Sequence, residues 1–348
     1  MTAFLRKRWF LIGLFILIPL GMVIGASVPP ERLQILSSKT AGVLGRIVVA
    51  VVLFLMSVTL DNKKLRDALR SPGPVIWATL VNFVCIPLMA IPLMRFQQTE
   101  DFAVGLMISA SVPCTMAAAS VWTRKASGND AVSLLVTIIT NGACFLITPV
   151  WLRWGIGGAV ELDIVDMMER LIVTALIPIC LGQLFRANQA VKNFADQAKT
   201  QLGVIAQACI LLLIFWASLK GGPHLAGNHS ATPSAAAVGT VWASCIGLHL
   251  LAMMIVLQGS VLFRFAREDA AATAFAGSQK TLPIGIAIAT DLLADRGLPF
   301  AVFPILMFHA SQLFLDTLVI DRLKAWVESS PAADHDARGN DTTSGSDS

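Results

Sequence analysis

The residues best suited to bind a ligand lie inside a strongly apolar segment of the chain. Residues 276–285, AGSQKTLPIG, place Lys280, a glutamine, two hydroxyls and Pro283 within a hydrophobic run from about Ala270 to Leu293. A charge at bilayer depth costs at least about 2.5–3.5 kcal/mol, and a proline leaves a helix carbonyl without its donor. Irregular backbone persists at that depth only where it is buried in protein or lines a cavity. The stretch therefore predicts a binding site in a broken membrane helix.

The composition of the chain fits a membrane protein. Of 348 residues, 55% are hydrophobic and 14% are charged, against about 25% charged in soluble domains. The net charge of +4 is spread over several short loops, so it indicates orientation in a membrane and not nucleic-acid binding. We expect an integral membrane protein that contacts the lipid bilayer and no nucleic acid.

Windows of about 20 residues predict ten transmembrane helices. The predicted spans are 9–29, 43–60, 74–95, 102–122, 131–152, 167–187, 201–220, 237–263, 268–293 and 299–321. Basic residues concentrate in alternate loops, which by the positive-inside rule places both termini in the cytoplasm. The expected location is the plasma membrane, or the inner membrane of a bacterium. The polar segment 323–348 is predicted to be a disordered cytoplasmic tail.

The ten spans divide into two halves, 1–155 and 156–322, with five helices each. An odd number of helices gives the two halves opposite orientations in the membrane. Inverted repeats of this kind are a known transporter architecture, with sites near the midplane formed by broken helices at corresponding positions. The fourth span contains Ser111-Val112-Pro113-Cys114-Thr115 and the ninth contains Pro283. The sequence thus predicts an all-α fold in which broken helices 4 and 9 cross.

Further polar residues lie in the neighbouring spans. Ser133, Thr137, Thr140 and Asn141 are spaced so that much of the set shares one face of the fifth helix, and Asn82 lies inside the third. Hydroxyls in membrane helices commonly bond their own backbone or a neighbouring helix. Their position next to a broken helix makes a ligand role an equally good interpretation.

These residues carry a resemblance to the bile acid:sodium symporter superfamily, and more specifically to its SBF-like branch. The segment from Pro113 to Pro149 has the broken fourth helix, the turn Ser127-Gly128-Asn129 and the polar fifth helix. Asn82-Phe83 before Pro87 resembles the third helix, and Ser278-Gln279-Lys280 resembles the second break. The resemblance implies a ten-helix fold with a panel and a core domain, and sodium sites behind the crossing. Carried over residue by residue, it implies sodium-binding hydroxyls and further polar ligands at Ser120, Ser133, Thr137, Asn82 and Gln279.

Two positions depart from the sodium-coupled pattern. Phe275 stands where those members have a glutamate, and Ala119 replaces a serine. Neither broken segment contains an acidic residue, whereas Lys280 supplies a fixed positive charge. The sequence therefore leaves the coupling ion open between sodium, a proton and none.

The leading functional hypothesis is a secondary active transporter that moves a small organic anion by alternating access. Sodium is the candidate coupling ion, and no other cofactor is expected. The predicted substrate-binding residues are Lys280, Thr115, Ser278, Thr281 and Asn141. As a structural alternative, the ammonium of Lys280 pairs with a carbonyl or reaches a membrane interface.

Two other classes of protein remain open at this point. A non-transporting membrane sensor would bind the ligand without moving it. An intramembrane enzyme would draw on His249, His309, Asp291 and Asp316, but these residues form neither an HExxH motif nor a GxSxG motif. We therefore expect a protein that is not an enzyme.

Overall fold

The computed structural model describes residues 2–29, 39–60, 72–157, 163–226, 233–293, 298 and 300–329. Within these ranges every regular element is a helix, which confirms the all-α class. The first half contains α1 (Thr2–Ser27), α2 (Lys39–Val58), α3 (Pro72–Leu80), α4 (Ile86–Met94), α5 (Glu100–Ser111), α6 (Ala118–Lys125) and α7 (Asp130–Ile156). The second half contains α8 (Ile164–Leu171), α9 (Ile177–Arg186), α10 (Gln189–Gln197), α11 (Lys199–Ala226), α12 (Ala235–Leu262), α13 (Arg267–Ser278), α14 (Leu282–Ala287) and α15 (Val302–Glu328).

Several helical segments are suited to a bilayer by length and composition. Among the described residues, five are long and apolar enough to cross it, namely Pro72–Met94, Asp130–Ile156, Lys199–Pro223, Ala235–Leu262 and Val302–Glu328. Ile12–Ser27 and Gly42–Val58 are shorter apolar helices. These segments support a multi-pass membrane protein. The total of ten spans, their inverted relation and their orientation stay predictions.

The helices form two groups by their packing. α1 and α2 pack mainly against α11 and α9, and α3 to α7 pack mainly with α12, α13 and α15 around the broken segments. In the first group Gly21 and Gly25 of α1 meet α11, where a Cβ atom at either glycine would overlap with the backbone or side chain at Ser218 or Leu219. Small residues four apart allow helix backbones to approach closely in a membrane. This pair of helices is therefore packed backbone to backbone.

The link between α3 and α4 is a wide π-helical turn at Val81–Cys85. The amide of Ile86 donates to the carbonyl of Val81, five residues back. The next residue, Pro87, has no N–H. The carbonyl of Asn82 is consequently left without a backbone donor in its own helix and is available to another group. A similar turn at Ile172–Leu176 comes directly before Ile177 and Pro178.

Polar side chains define where several helices begin. Thr99, Asn129 and Asp163 accept hydrogen bonds from the first amides of α5, α7 and α8, and Ser234 does the same for α12. Such caps satisfy amides that have no partner within a helix. The caps thus define the N-terminal ends of α5, α7, α8 and α12.

The last helix is longer than the sequence indicated. α15 continues to Glu328, past the predicted end at 321 and into the segment 323–348 predicted to be disordered, so that boundary was wrong. Its extension is helical because Leu323 and Val327 are buried. In addition, Arg267 donates to the carbonyl of Trp326 at 2.8 Å and lies over its ring. Residues 330–348 lie outside the described part of the chain.

Candidate functional site

Two broken helices meet in the interior of the second helix group. The first break, residues 112–117, separates α5 from α6, and the second, residues 279–281, separates α13 from α14. The amide of Thr281 donates to the carbonyl of Pro113 at 2.8 Å. This bond joins the two proline-containing segments directly. Lys280, Gln279 and Thr115 are all buried beside it.

From the last residue of α5 into the first break, five successive carbonyls each accept a hydrogen bond from another element. The pairs are Ser111 with Thr148 (2.9 Å), Val112 with Lys280 (2.9 Å), Pro113 with the Thr281 amide (2.8 Å), Cys114 with Asn141 (2.9 Å) and Thr115 with Thr137 (3.3 Å). Buried backbone groups without partners are costly. The polar residues of α7 therefore allow the helix to be broken at depth.

The second break is satisfied in a similar way by one side chain of the π turn and one of α15. The amide nitrogen of Asn82 lies 3.3 Å from the carbonyls of Ala276 and Gly277 and 2.9 Å from that of Gln279. The side chain of Gln312 accepts from the amide of Lys280 at 2.8 Å and donates to its carbonyl at 3.0 Å. The side chain of Gln312 thus bonds to both backbone groups of Lys280, as the backbone of a neighbouring β-strand would.

The ammonium of Lys280 connects the two breaks to the π turn of α3–α4. Its Nζ donates to the carbonyl of Asn82 at 2.6 Å, to Asn82 Oδ1 at 3.2 Å and to the carbonyl of Val112 at 2.9 Å. An ammonium has three protons, so these three acceptors use all of them. Val112 directly follows the last residue of α5, where the helix dipole favours a positive charge. Lys280 thus has three uncharged oxygens as acceptors for the three N–H bonds that its protonated form carries.

The remaining predicted substrate residues are buried but differ in their contacts. The hydroxyl of Ser278 donates to the carbonyl of Ala274 within its own helix at 2.7 Å. Thr281 contributes its backbone amide to the crossing. Asn141 uses its amide nitrogen for the first break, and its Oδ1 is buried with no hydrogen-bond partner among the described residues. Asn141 is therefore the predicted substrate residue with an acceptor free to bind a ligand.

Two of the predicted sodium residues lie together on α7 behind the first break. The hydroxyl of Thr137 donates to the carbonyl of Ser133 at 2.8 Å and lies 3.3 Å from the carbonyl of Thr115. The Oγ atom of Ser133 is buried and has no partner within the described residues. Hard cations prefer oxygen ligands of this kind. The donor set at Ser133, Thr137 and Thr115 fits a sodium ion.

Ser120 belongs to a different set of contacts. Its hydroxyl donates to the carboxylate of Asp130 and accepts from Arg124 at 2.6 Å, and Arg124 forms a 3.1 Å ion pair with Asp130. The guanidinium opposes a second cation at this position. The adjoining turn is fixed by Asn129, which donates to Asp269 at 2.7 Å. The structure therefore gives Ser120 a contact that joins α6 to the first residue of α7, separate from Ser133 and Thr137.

The structure also brings together two residues that the sequence did not connect. His249 Nε2 lies 3.0 Å from Asp316 Oδ1, and Asp316 Oδ2 accepts from Gln279 at 2.6 Å. Gln279 in turn accepts from the hydroxyl of Thr115 at 2.9 Å. The sequence did carry a signal for His249 and Asp316, because an ionisable residue within an apolar span is a functional candidate by default. His309 instead contacts Gln312, and the side chain of Asp291 lies outside the described part.

A bundle of apolar helices in which two broken helices meet around a buried lysine is typical of a secondary membrane transporter. Comparison with known proteins agrees, since the profile of the SBF-like CPA transporter family matches residues 8–325. The chain belongs to that family, within the bile acid:sodium symporter superfamily. This is a family of membrane transporters.

Two similar proteins have low sequence identity to this chain, but the alignments cover most of it. The chain is 28% identical over 285 residues to "Probable sodium/metabolite cotransporter BASS4, chloroplastic" of Oryza sativa subsp. japonica, covering 77% of this chain and 66% of the rice protein. It is 20% identical over 337 residues to "Sodium/bile acid cotransporter 7" of Danio rerio, covering 94% of this chain and 96% of the fish protein. The chain thus spans just under two thirds of the rice relative and nearly all of the fish one.

Proposed function

We propose that the protein is a secondary active transporter that moves a small organic anion by alternating access, coupled to sodium. The observation that carries this proposal is the crossing of the two breaks, where Lys280 bonds to Asn82 and to Val112. Discontinuous helices of this kind form substrate and ion sites in transporters. The names of the relatives, which are sodium cotransporters of metabolites and bile acids, support the class of substrate and the coupling ion.

The sodium ion would bind behind the first break. Ser133 and Thr137 provide hydroxyl oxygens and Thr115 provides a carbonyl, and the Ser133 oxygen needs no existing bond to be broken. The side-chain oxygen of Gln279 already accepts a hydrogen bond from Thr115. Asn82 already uses its side chain to bridge the second break and Lys280, and Ser120 is bonded to Asp130. We therefore place the ion at Ser133, Thr137 and Thr115.

The substrate anion would bind next to the crossing, where the charge of Lys280 attracts it. Because all three protons of Lys280 are used by carbonyl and amide oxygens, the lysine acts as a built-in cation, not as a direct anion ligand. The direct contacts would then come from neutral polar groups such as Thr115, Thr281, Ser278 and Asn141. Asn141 has the oxygen acceptor that is free of other bonds.

Alternating access would move the second helix group against the first. The breaks are bonded to the π turn between α3 and α4, to α7, α12 and α15, and to each other, so these elements move together. α1, α2 and α11 make most of their contacts outside that set. The inverted halves 1–155 and 156–322 would each contribute one break to the moving group.

The test is the thermal stability of purified protein in sodium and in choline at matched ionic strength. An ion at ten times its Kd stabilises the folded state by about 1.4 kcal/mol. We expect a sodium-specific rise in melting temperature that is lost in Thr137→Ala and kept in Thr79→Val. Thr79 is a matched control because its buried hydroxyl has no partner among the described residues. No sodium-specific rise in the unmodified protein would refute sodium coupling.

Transport itself is measured by counterflow in proteoliposomes. A panel of small organic anions that includes a bile acid is loaded inside, and uptake of the labelled anion is followed with and without sodium. Sodium-dependent counterflow is the expected result. Binding of an anion without counterflow would identify the protein as a membrane sensor and would overturn the transport proposal.

A further inference from the structure

His249 and Asp316 form an ionisable pair in the interior of the protein. Both side chains are 0% exposed. His249 Nε2 lies 3.0 Å from Asp316 Oδ1, and its other ring nitrogen, Nδ1, lies 3.3 Å from the carbonyl oxygen of Ser278. Both ring nitrogens therefore face an oxygen acceptor.

The geometry of this pair requires one more proton than a neutral imidazole carries. A neutral imidazole has one N–H and one acceptor nitrogen, whereas an imidazolium donates from both. If Asp316 is ionised, only the imidazolium can donate to Asp316 and to the Ser278 carbonyl together. If Asp316 holds the proton instead, it donates to Nε2 while Nδ1–H donates to Ser278. Both forms contain the same extra proton. When the pair loses it, one ring nitrogen of His249 has only a lone pair facing the oxygen of Asp316 or of Ser278.

The pair is bonded to the second break directly and to the first break through Gln279. Ser278 is the last residue of α13, and its carbonyl lies at the C-terminal end of that half-helix, where the dipole favours a positive charge. Asp316 Oδ2 accepts from Gln279 at 2.6 Å, and Gln279 accepts from Thr115 of the first break. A change in the charge of the pair thus acts on the positions at which both helices are broken.

Other titratable groups on the packed elements bond elsewhere or lie at helix ends. In the second break Lys280 bonds to Asn82 and Val112, and on α15 His309 bonds to Gln312. On α12 the thiol of Cys245 contacts the carbonyl of Pro304. Among the described residues, the other titratable groups on the adjacent elements are Cys85 between α3 and α4, Glu100 and Asp101 in the first turn of α5, Arg124 and Lys125 in the last turn of α6, Arg267, Glu268 and Asp269 in the first turn of α13, and Asp321, Arg322, Lys324 and Glu328 near the end of α15.

We propose that the His249–Asp316 pair is a proton-binding site whose occupancy is coupled to the arrangement of the second break. A hydronium ion gives its proton to the pair, one N–H or O–H bond forms, and water leaves. The reverse step releases the proton when the break rearranges. The pair changes from a net charge of −1 to 0, and no electron is transferred. This inference rests on the proposed function, because the break is taken to be the moving part of the transporter.

The protonation state of His249 can be read by nitrogen NMR of the full chain in lipid bilayers with 15N-labelled histidine. The chain has five histidines, so a variant with His224, His229, His309 and His335 replaced by glutamine leaves His249 as the single signal and the pair intact. At low pH we expect either two protonated ring nitrogens or, if Asp316 holds the proton, Nδ1 protonated alone; at high pH we expect Nε2 protonated alone, donating to Asp316. With Asp316→Asn, which removes the carboxylate, this change of pattern should be lost or displaced.

Coupling to the break is measured by hydrogen exchange of the peptide covering 275–285, corrected for the intrinsic pH dependence. The protection of this peptide should fall at the pH at which the pair loses its proton. His249→Gln should abolish that step, and His309→Gln should keep it. A His249 that keeps the same protonated nitrogens over the whole range, in number and in identity, is a fixed structural contact and overturns the proposal, as does a change of pattern that leaves the exchange of the break unaffected.

These outcomes are separate from those that test sodium coupling. Loss of the sodium-specific stabilisation with an intact proton step would refute the sodium site alone. A persistent sodium effect with an unchanging His249 would refute the proton site alone. If Asp316→Asn does not fold, the single-histidine protein still decides the question, because its Asp316 is unaltered.

Discussion

Replacing Asn82 with leucine tests whether the two breaks depend on one side chain. The substitution keeps the approximate volume but removes the amide that bridges Ala276, Gly277 and Gln279. It also removes the oxygen that accepts from Lys280 at 3.2 Å. The side chain is 0% exposed, so water cannot replace these bonds without opening the site.

The expected loss follows from the number of protons on the amide. An NH2 group has two protons, so at most two carbonyls lose a full partner, and each unsatisfied buried group costs about 1–3 kcal/mol. We expect a net destabilisation of about 2–4 kcal/mol, since the leucine recovers part of the loss by apolar burial. At about 2 °C per kcal/mol, the lower end of the range for large domains, the melting temperature falls by about 4–8 °C.

The assay is thermal unfolding in detergent together with hydrogen exchange of the peptide 275–285. Thr79→Val, on α3 directly before the π turn, is the control, because its hydroxyl has no partner within the described residues. It should leave both quantities nearly unchanged. A melting temperature for Asn82→Leu within a degree of the control, with protection of the break retained, would show that the bridging bonds contribute nothing.

Two further substitutions test other parts of the structure. Lys280→Met should abolish sodium-dependent counterflow, because it removes the charge at the crossing. The chain should still fold, because the cost of burying that charge is removed as well. Unchanged counterflow with normal expression would contradict the role of Lys280. Gly25→Leu should lower the melting temperature, because the new side chain overlaps with Leu219 of α11. Gly45→Leu is the control and should not lower it, because a Cβ atom there meets nothing within 4 Å. Equal effects of the two changes would contradict close packing of α1 and α11.

The sequence indicated those parts of the site that follow from the chemistry of a single residue. Pro113 and Pro283 within apolar runs indicate broken helices whatever the rest of the chain does, since the missing amide is a property of proline itself. The same holds for Lys280 and Asn82, whose polarity at bilayer depth already requires a partner. The structure brings these four residues to one place.

The partners themselves could not be predicted because they depend on distant residues. Lys280 bonds to the carbonyl of Asn82, 198 residues away, and that carbonyl is free only because of the π turn before Pro87. His249 and Asp316 are 67 residues apart on different helices, and no spacing rule connects them. Ser120 illustrates the opposite case, since its partner Asp130 is near in sequence but lies across a turn.

The π turn has a consequence for how this chain can change over generations. The carbonyl of Asn82 needs Lys280 because position 87 has no N–H to offer. A non-proline residue at position 87 would supply that donor from within the helix and remove one of the needs for the lysine. The two changes are therefore expected to accumulate in a preferred order, with Pro87 replaced first and Lys280 second. A lineage that lost the lysine first would pass through an intermediate with an unpaired buried carbonyl.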